Sequence, residues 1–264
     1  LSSCERAQGK ESFTMTFELI DIKDAANEVG EVSWLVPQLI EEESLTAIAG
    51  PPGSGKSFLA TDLAVSLATK TPWMGIDDFT PARKCKVVYI TPEGKRSTVA
   101  RLAEQLEFRK VKADDVDLTI STGTLTGAGR EGFQELINYS PDVVFIDTWA
   151  RATPGVDENS ASQVGSVISD LDMLREISGC SVIFVHHTTL EKERMRGTSA
   201  LFGAVDTQLL ITGGEHSPTS AARVNKHKNA SRWNVALEFG IGASPVVAEV
   251  GHPFPVQFQP LEMM

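Results

Sequence analysis

Cysteine is scarce in this chain, and so are the apolar runs that membranes and secretion require. The 264 residues include three cysteines, Cys4, Cys85 and Cys180, which lie far apart and lack the spacing of a metal-binding motif. An odd and sparse set of cysteines favours a reducing compartment. No apolar run approaches membrane-spanning length, and the first residues lack the basic-then-apolar order of a secretory signal. The sequence therefore predicts a cytoplasmic protein.

The chain also has fewer basic than acidic residues. The chain carries 24 Lys and Arg residues against 35 Asp and Glu residues, a formal net charge of −11. This balance argues against a protein whose whole surface is adapted to nucleic acid. It leaves room for a basic channel on an acidic body, because the steering of a charged ligand depends on where the charges sit.

From residue 33 onward, short apolar segments alternate with segments of helical periodicity. Several of the apolar segments are continuous, as is typical of strands buried on both faces of a parallel sheet. The predicted strands are 45–49, 86–91, 117–121, 142–147 and 181–186, and the predicted helices are 56–69, 95–107, 130–139 and 162–178. The sequence therefore predicts an α/β fold with a mostly parallel, doubly wound sheet, which binds ligands beyond the carboxyl ends of its strands.

The two ends of the chain differ from this pattern. Four short segments near the C-terminus are expected to extend the sheet with antiparallel strands: Thr207–Thr212, Ala222–Lys226, Trp233–Phe239 and Val246–Val250. Residues 1–30 are polar and are expected to form an N-terminal extension, partly disordered or foreign to the natural chain, with Met15 as a candidate natural start. We expect one domain over 31–250 and a tail over 251–264.

The most informative segment is a glycine-rich loop between the predicted strand 45–49 and the predicted helix 56–69. Its sequence, GPPGSGKS, fits the pattern G-x-x-x-x-G-K-[ST]. Glycines let backbone N–H groups converge on a phosphate, the lysine reaches the β- and γ-phosphates, and the serine hydroxyl can ligate Mg²⁺. The helix N-terminus adds free N–H groups. The residues expected to bind the nucleotide are Gly50, Pro51, Pro52, Gly53, Ser54, Gly55, Lys56, Ser57 and Phe58. The alternative is a glycine-rich turn before an ordinary helix, which the strand–loop–helix context disfavours.

Two carboxylates follow other predicted strands at the same edge of the sheet. Asp147 ends one strand and is expected to hold Mg²⁺ together with Ser57. Glu93 lies just beyond another strand, where a carboxylate can orient and deprotonate the water that attacks the γ-phosphate. The alternatives are an ordinary aspartate at a strand end and a surface glutamate in a Pro/Gly turn. The convergence of three strand ends at one edge favours the functional interpretation.

Two adjacent histidines, His186 and His187, end a fourth strand. Neighbouring residues in an extended chain point to opposite faces, which disfavours a metal ion shared by the pair. We expect His187 to hydrogen-bond toward the γ-phosphate and to report its presence to the following loop.

These features together resemble the RecA-fold ATPases, and within them the RepA-type hexameric replicative helicases of plasmids and phages. The resemblance runs from Trp34 to about Lys228, most of the chain. It rests on Trp34–Pro37, Pro72–Gly75, Tyr89–Glu93, Ile146–Ala152, Asp157–Ser160, His186–Thr188 and Arg196–Leu201. It implies a RecA-like ATPase domain over 31–250 that uses ATP and Mg²⁺. In that domain Glu93 is the catalytic glutamate, Asp147 the aspartate of the second nucleotide motif and His187 the γ-phosphate sensor.

The same resemblance implies that a loop over 190–204 faces single-stranded DNA in the centre of a ring. The loop carries Lys192, Arg194 and Arg196, whose cations could follow phosphates without distinguishing bases. It also contains Glu191 and Glu193, so a solvated loop of mixed charge remains the alternative.

A further segment, Val224–Asn229, resembles the part of ring helicases whose cations reach the γ-phosphate of a neighbouring subunit. The cations here are Lys226 and Lys228, whereas related helicases often have arginine at the second position. Lysine is a point charge rather than a bidentate fork, so the match is incomplete, and Arg223 is a competing candidate. The loop after Asp147 is acidic, which fits poorly with DNA contact by that loop.

We therefore expect a Mg²⁺-dependent ATP hydrolase that forms a ring, a hexamer by resemblance, and translocates on single-stranded DNA. Two alternatives remain open. One is a RecA-fold ATPase that serves as a recombination mediator or signalling switch without unwinding DNA. The other is a nucleotide-binding scaffold with negligible turnover.

Overall fold

The computed structural model describes residues 19–28, 30, 32–189, 194–213, 219–229, 237–240 and 248–249. Contacts within the chain divide it into two units, Leu1–Val32 and Ser33–Met264. The first unit contains one helix in its described part, α1 at Ile22–Glu28. Both Met15 and the tail 251–264 lie outside the described residues. The division into extension, domain and tail stays a prediction.

The second unit contains a small two-stranded sheet and a large mixed sheet. The small antiparallel sheet, which the sequence did not predict, pairs β1 at Trp34–Val36 with β2 at Ile40–Glu41. The strands of the large sheet are β3 Leu45–Gly50, β4 Val87–Ile90, β5 Leu118–Ser121, β6 Val143–Ile146, β7 Ser181–His187, β8 Thr207–Thr212, β9 Thr219–His227, β10 Leu237–Gly240 and β11 Ala248–Glu249. Across the described strands the order is β11-β10-β9-β8-β3-β7-β6-β4-β5.

The six central strands, from β8 to β5, run parallel, which confirms the predicted fold class. Strands β3, β4, β6 and β7 are buried on both faces, because their apolar runs meet helices above and below the sheet. The β3–β7 register places Gly50 beside His187, so the glycine-rich loop starts next to the histidine pair.

Helices cover both faces of this sheet. The longer ones are α2 Lys56–Thr69, α3 Lys95–Phe108, α4 Leu125–Tyr139 and α6 Ala161–Ser178, with the short helices α5 Trp149–Ala152 and α7 Ser199–Ala204. Side chains of α2 and α3 pack in one hydrophobic core, and those of α4 and α6 pack in the core on the other face. Their ends follow local chemistry: the Ser160 hydroxyl caps the start of α6, and Gly179, with φ of 66°, ends it.

The antiparallel extension begins one strand later than the sequence predicted. Segment 207–212 was expected to belong to it, but β8 pairs parallel with β3, with Thr46 opposite Thr207. Strand β9 then pairs antiparallel with β8, and β10 and β11 continue the antiparallel run. Of the predicted strand 233–239, residues 233–236 lie outside the described residues. Within the described ranges, no helix combines the length and apolar character of a membrane span.

A buried ion pair joins α2 to the end of α3. The Arg109 guanidinium contacts Asp62 Oδ1 at 2.5 Å, and it also donates to Thr71 Oγ1 at 2.8 Å. Asp62 Oδ2 accepts the backbone N–H of Met74 at 3.0 Å. The Asp62 side chain is fully buried and the Arg109 side chain is 7% exposed. The pair therefore fixes the helix that follows the glycine-rich loop against the helix that follows Glu93.

Candidate active site

The glycine-rich loop links the end of β3 to the start of α2. Gly53 and Gly55 have φ of 73° and 83°, backbone angles that side chains other than glycine rarely adopt. A Cβ atom on Gly50 would come within 2.9 Å of Ile211 and of Ser54 Oγ. The Ser54 hydroxyl is buried and has no hydrogen-bond partner among the described residues. The start of the loop is therefore closely packed against Ile211 and Ser54. The loop ends at a helix N-terminus that can face an anion.

Lys56 folds back over this loop. Its Nζ donates to the backbone carbonyl of Pro51 at 2.6 Å, and only 6% of the residue is exposed. Burial lowers the pKa of Lys56 from its ordinary 10.5 to about 8, against the opposing charge of Asp147. Among the described residues, the hydrogen-bond partner of this buried ammonium is one loop carbonyl. The ammonium is well suited to bind a phosphate, because the phosphate supplies a negative charge that compensates for the loss of water around the amine.

Asp147 lies beside the start of α2, at the end of β6. Ser57 Oγ donates to Asp147 Oδ1 at 3.1 Å, and the Tyr89 hydroxyl donates to Oδ2 at 2.9 Å. Burial raises the pKa of Asp147, while the hydrogen bonds from Tyr89 and Ser57 and the charges of Arg101 and Lys56 oppose that rise. These residues fit Mg²⁺, which proteins bind through one or two carboxylates together with substrate phosphates.

Glu93 follows β4 and reaches the same edge of the sheet. Its carboxylate pairs with Arg151 Nε at 2.9 Å, and its side chain is 54% exposed. Arg151 belongs to α5, the short helix that begins two residues after Asp147. Glu93 is thus an accessible carboxylate that is tied to the helix directly after Asp147.

The two histidines at the end of β7 have different surroundings. His187 Nδ1 has no hydrogen-bond partner among the described residues, and its pKa is lowered by burial and by the charges of Lys56 and Arg196. His186 is fully buried, and burial lowers its pKa to about 4. A neutral His186 can donate from Nε2 to the Arg196 carbonyl, 3.0 Å away. His187 therefore lies beside the start of the glycine-rich loop, and His186 contacts the segment that follows the strand.

That segment is attached to the acidic loop that follows α5. The Arg196 guanidinium pairs with Glu158 at 2.5 and 3.1 Å, and the Thr198 N–H donates to the Glu158 carbonyl at 2.8 Å. Gly197, with φ of 91°, permits this approach, since a Cβ there would lie 2.5 Å from the same carbonyl. Glu158 is thus an internal partner of residues 194–198, the basic segment. This contact gives an acidic residue of the loop after Asp147 a structural role.

The expected DNA loop over 190–204 is only partly a loop. Residues 190–193, including Lys192, lie outside the described residues, and 199–204 form α7. The two described cations, Arg194 and Arg196, are both exposed, and Arg196 is also paired with Glu158. The prediction of one continuous basic loop is therefore corrected: α7 replaces its second half, because Thr198 caps a helix there through the N–H of Ala200.

Phe58 follows the glycine-rich loop, and the face of its ring contacts a cation. The guanidinium of Arg101 lies 4.6 Å from the centre of the Phe58 ring, and its charge acts on both Asp147 and Tyr89. Arg101 comes from α3, so this contact places a positive charge from that helix near the nucleotide loop.

Lys226 and Lys228 lie at the opposite edge of the sheet. Lys226 Nζ donates to the carbonyls of Phe202 and Gly203 at 2.7 and 3.1 Å, and Lys228 Nζ contacts Asp206 at 2.7 Å. Asp206 also accepts the N–H of Leu45, the first residue of β3. From there to Gly50 the strand rises by about 16 Å. Neither lysine belongs to the phosphate site of its own chain.

The structure thus brings together Lys56, Ser57, Glu93, Asp147 and His187, while their individual roles stay predictions. Four neighbours were not predicted from the sequence: Tyr89, Arg101, Arg151 and His186. Tyr89 and His186 fall inside the quoted motifs, so their polar atoms in otherwise apolar strands were a usable signal. Arg151 also falls inside one of these segments, Ile146–Ala152, but it and Arg101 lie on helices, where the sequence alone does not distinguish them from surface cations.

Comparisons with known proteins show the family and the fold of the chain. A protein-family model described as AAA domain matches residues 13–193. DNA repair protein RadA from two Streptococcus pyogenes serotypes, M6 and M18, is 27% identical over 199 residues, which is 74% of this chain and 38% of RadA. The chain therefore spans well under half the length of these curated relatives.

Two solved structures share the fold. One is the ATPase domain of another protein, with a TM-score of 0.56 and 14% identity, covering 82% of this chain and 91% of that one. The other is the RadB recombinase, with a TM-score of 0.57 and 16% identity, covering 76% and 88%. The expected class of RecA-fold ATPase is confirmed. The chain belongs to the AAA domain family and is an ATPase with the RecA fold.

Proposed function

We propose that this protein is a Mg²⁺-dependent ATP hydrolase that assembles into a ring, a hexamer, and moves on single-stranded DNA. The observation that carries the hydrolase proposal is the junction of Lys56, Ser57 and Asp147 at the glycine-rich loop, with Glu93 beside it. Burial opposes the charged forms of both Lys56 and Asp147, which favours a functional reason for their position.

In this mechanism the loop N–H groups and Lys56 hold the phosphates of ATP. Ser57 and Asp147 would hold Mg²⁺, which, when bound, offsets the negative charge on the phosphate oxygens. Glu93 accepts a proton from the attacking water, and its exposure leaves it accessible to that water. His187, at the end of β7 beside Gly50, donates toward the γ-phosphate.

A site that is completed by a neighbouring subunit is part of the proposal. Lys226 and Lys228 lie about 16 Å of strand from their own phosphate loop, so a contact with nucleotide requires a second copy of the chain. In the single chain their amines bind carbonyls at the end of α7 and Asp206, and assembly must release at least one of them. Arg223, exposed in the middle of β9, remains the competing cation.

The DNA part of the proposal draws on the basic segment and on the names of the relatives. Arg194 is exposed next to Arg196, so a strand passing there would meet a cation at the surface. RadA is named for DNA repair and RadB as a recombinase. Their names also favour the second candidate, a recombination-type ATPase that never unwinds a duplex. A cytoplasmic location and an ATPase domain over 31–250 belong to the same proposal.

Steady-state ATP hydrolysis with and without single-stranded DNA, combined with mass measurement in the presence of ATP, tests these functions. DNA-stimulated turnover by a ring, with unwinding of a forked duplex, supports the helicase. Stimulation without unwinding supports the recombination-type ATPase, and turnover indifferent to DNA supports a signalling switch. ATP binding without turnover supports a scaffold and refutes hydrolysis.

Glu93→Gln tests the proposed base directly. It keeps the shape of the side chain and removes its basicity, so ATP should still bind while turnover stops. The matched control is Glu104→Gln, an exposed position on α3. Turnover in Glu93→Gln equal to that of the control would remove Glu93 from the mechanism.

A further inference from the structure

Tyr89 is a buried tyrosine whose hydroxyl is directed at a carboxylate. The residue is 0% exposed, and its ring stacks on that of Phe145, with ring centres 5.4 Å apart and planes 11° from parallel. The two residues are direct partners in the β4–β6 register. The ring is therefore fixed by the centre of the sheet rather than by a loop, and its hydroxyl is held at Asp147 Oδ2.

The two oxygens of Asp147 are divided between two donors from different elements. Oδ1 accepts the Ser57 hydroxyl from the glycine-rich loop, and Oδ2 accepts the Tyr89 hydroxyl from β4. A Ser57 hydroxyl that ligates a metal ion through a lone pair can still donate its proton to Asp147, but its position then depends on the metal. Tyr89 is the donor whose position does not depend on the metal, because its ring is fixed in the sheet and nothing in the proposed reaction uses its hydroxyl.

We propose that Tyr89 is a positioning residue that holds Asp147 for Mg²⁺ at the nucleotide site. The inference rests on the proposed function and deepens it, since it assigns the residue that orients the metal-side carboxylate. Partners that hydrogen-bond to metal ligands typically account for 10–100-fold in metal affinity. Loss of the hydroxyl should therefore raise the Mg²⁺ requirement by about tenfold or more, while nucleotide contacts made without Mg²⁺ stay unchanged.

The test is Tyr89→Phe in the full chain, which removes one oxygen atom and keeps the ring stack. The chain offers a matched control in its only other tyrosine, Tyr139, whose hydroxyl contacts Thr119 and Asp117 at the surface. Binding of a fluorescent, non-hydrolysable ATP analogue is titrated with Mg²⁺. We expect the Mg²⁺ concentration for half-maximal effect to rise about tenfold in Tyr89→Phe and to stay unchanged in Tyr139→Phe. Equal values in Tyr89→Phe and wild type would overturn the proposal.

A double-substitution cycle separates positioning from a merely structural role. If Tyr89 acts through Asp147, then adding Tyr89→Phe to Asp147→Asn should not change the Mg²⁺ dependence further. A further loss in the double variant would overturn the proposal. If Tyr89→Phe alone does not fold, this comparison can still refute the proposal, because the double variant does not leave a carboxylate at position 147 without the Tyr89 donor.

The outcomes distinguish this inference from the function on which it rests. A wild-type chain that binds no nucleotide, or a Lys56→Ala variant that binds it equally well, refutes both. A wild-type chain whose binding depends on Mg²⁺, together with a Tyr89→Phe variant that titrates identically, refutes only the role of Tyr89.

Discussion

Replacing the loop lysine should stabilise the nucleotide-free protein while it abolishes nucleotide binding. Lys56 is buried with a pKa of about 8, against an ordinary value of 10.5. The charged amine is therefore less favourable in the folded protein than in the unfolded chain. Lys56→Met keeps a long, unbranched side chain and removes the charge, so the cost of burying the ammonium disappears.

The size of the gain follows from the pKa. A fall from 10.5 to about 8 corresponds to about 3 kcal/mol at neutral pH, at roughly 1.4 kcal/mol per pKa unit. The charge of Lys56 also favours ionised Asp147, and the variant loses that contribution. We therefore expect the free energy of unfolding to rise by about 1–3 kcal/mol at pH 7.

The pH dependence supplies a signature that ordinary packing would not. Below pH 8 the wild type carries the full cost of the buried charge. Between pH 8 and 10.5 the folded protein loses the proton while the unfolded chain keeps it, so wild-type stability rises. The gain from Lys56→Met should therefore be largest at pH 7 and shrink at about pH 9.5.

Urea unfolding of the nucleotide-free protein at both pH values measures this gain. Lys70→Met, at an exposed position just after α2, is the control for removing a lysine from the same region. A Lys56→Met protein that is no more stable than the wild type at neutral pH, or a gain that does not shrink at the higher pH, would refute the assignment of a destabilising charge to Lys56.

Three further predictions follow from charges and close approaches in the structure. Binding of an ATP analogue should weaken above pH 8, by up to about tenfold per pH unit, because phosphates bind protonated Lys56 better; titrations from about pH 7 to 9.5 measure this. Arg109→Ala should lower the free energy of unfolding by about 3–5 kcal/mol in urea, because it leaves Asp62 buried and unpaired, and replacing both residues with leucine should recover most of the loss. Gly197→Ala should lower the free energy of unfolding by about 1–3 kcal/mol in the same assay and should reduce DNA-stimulated turnover, because its Cβ would collide with the Glu158 carbonyl. Unchanged values in both assays would contradict the contact between Glu158 and the basic segment.

Local chemistry made the helix after the glycine-rich loop predictable. The bounds of α2 match the predicted helix at both ends, since a Gly-rich loop precedes it and the chain adopts a left-handed conformation at Lys70. Helix α4, in contrast, begins five residues before the predicted position, because Thr124 caps it and Gly129 interrupts it with non-helical angles. Glycine inside a helix obscures the periodicity on which such a prediction depends.

Strand pairing and long-range side-chain contacts were harder to predict from the sequence. The direction of β8 depends on its partner β3, and an apolar segment has the same composition in either orientation. The sequence placed Glu93 and Asp147 at neighbouring strand ends, but it did not indicate that Arg151 would pair with Glu93. It likewise gave no sign that Lys226 would bind the carbonyls at the end of α7, because backbone acceptors have no sequence signature.

The position of β3 also has a consequence for protein synthesis. Leu45 pairs with Val182 on one side, and Thr46 pairs with Thr207 on the other. At about 5–20 residues per second, the ribosome needs roughly 8–30 s to make the intervening chain. For most of that time the strand leading into the glycine-rich loop has neither neighbour, because Val182 is also made late, and its apolar residues are available to chaperones or to other nascent chains. The nucleotide site also includes His187 at the end of β7, so ATP cannot bind the complete site before that strand emerges.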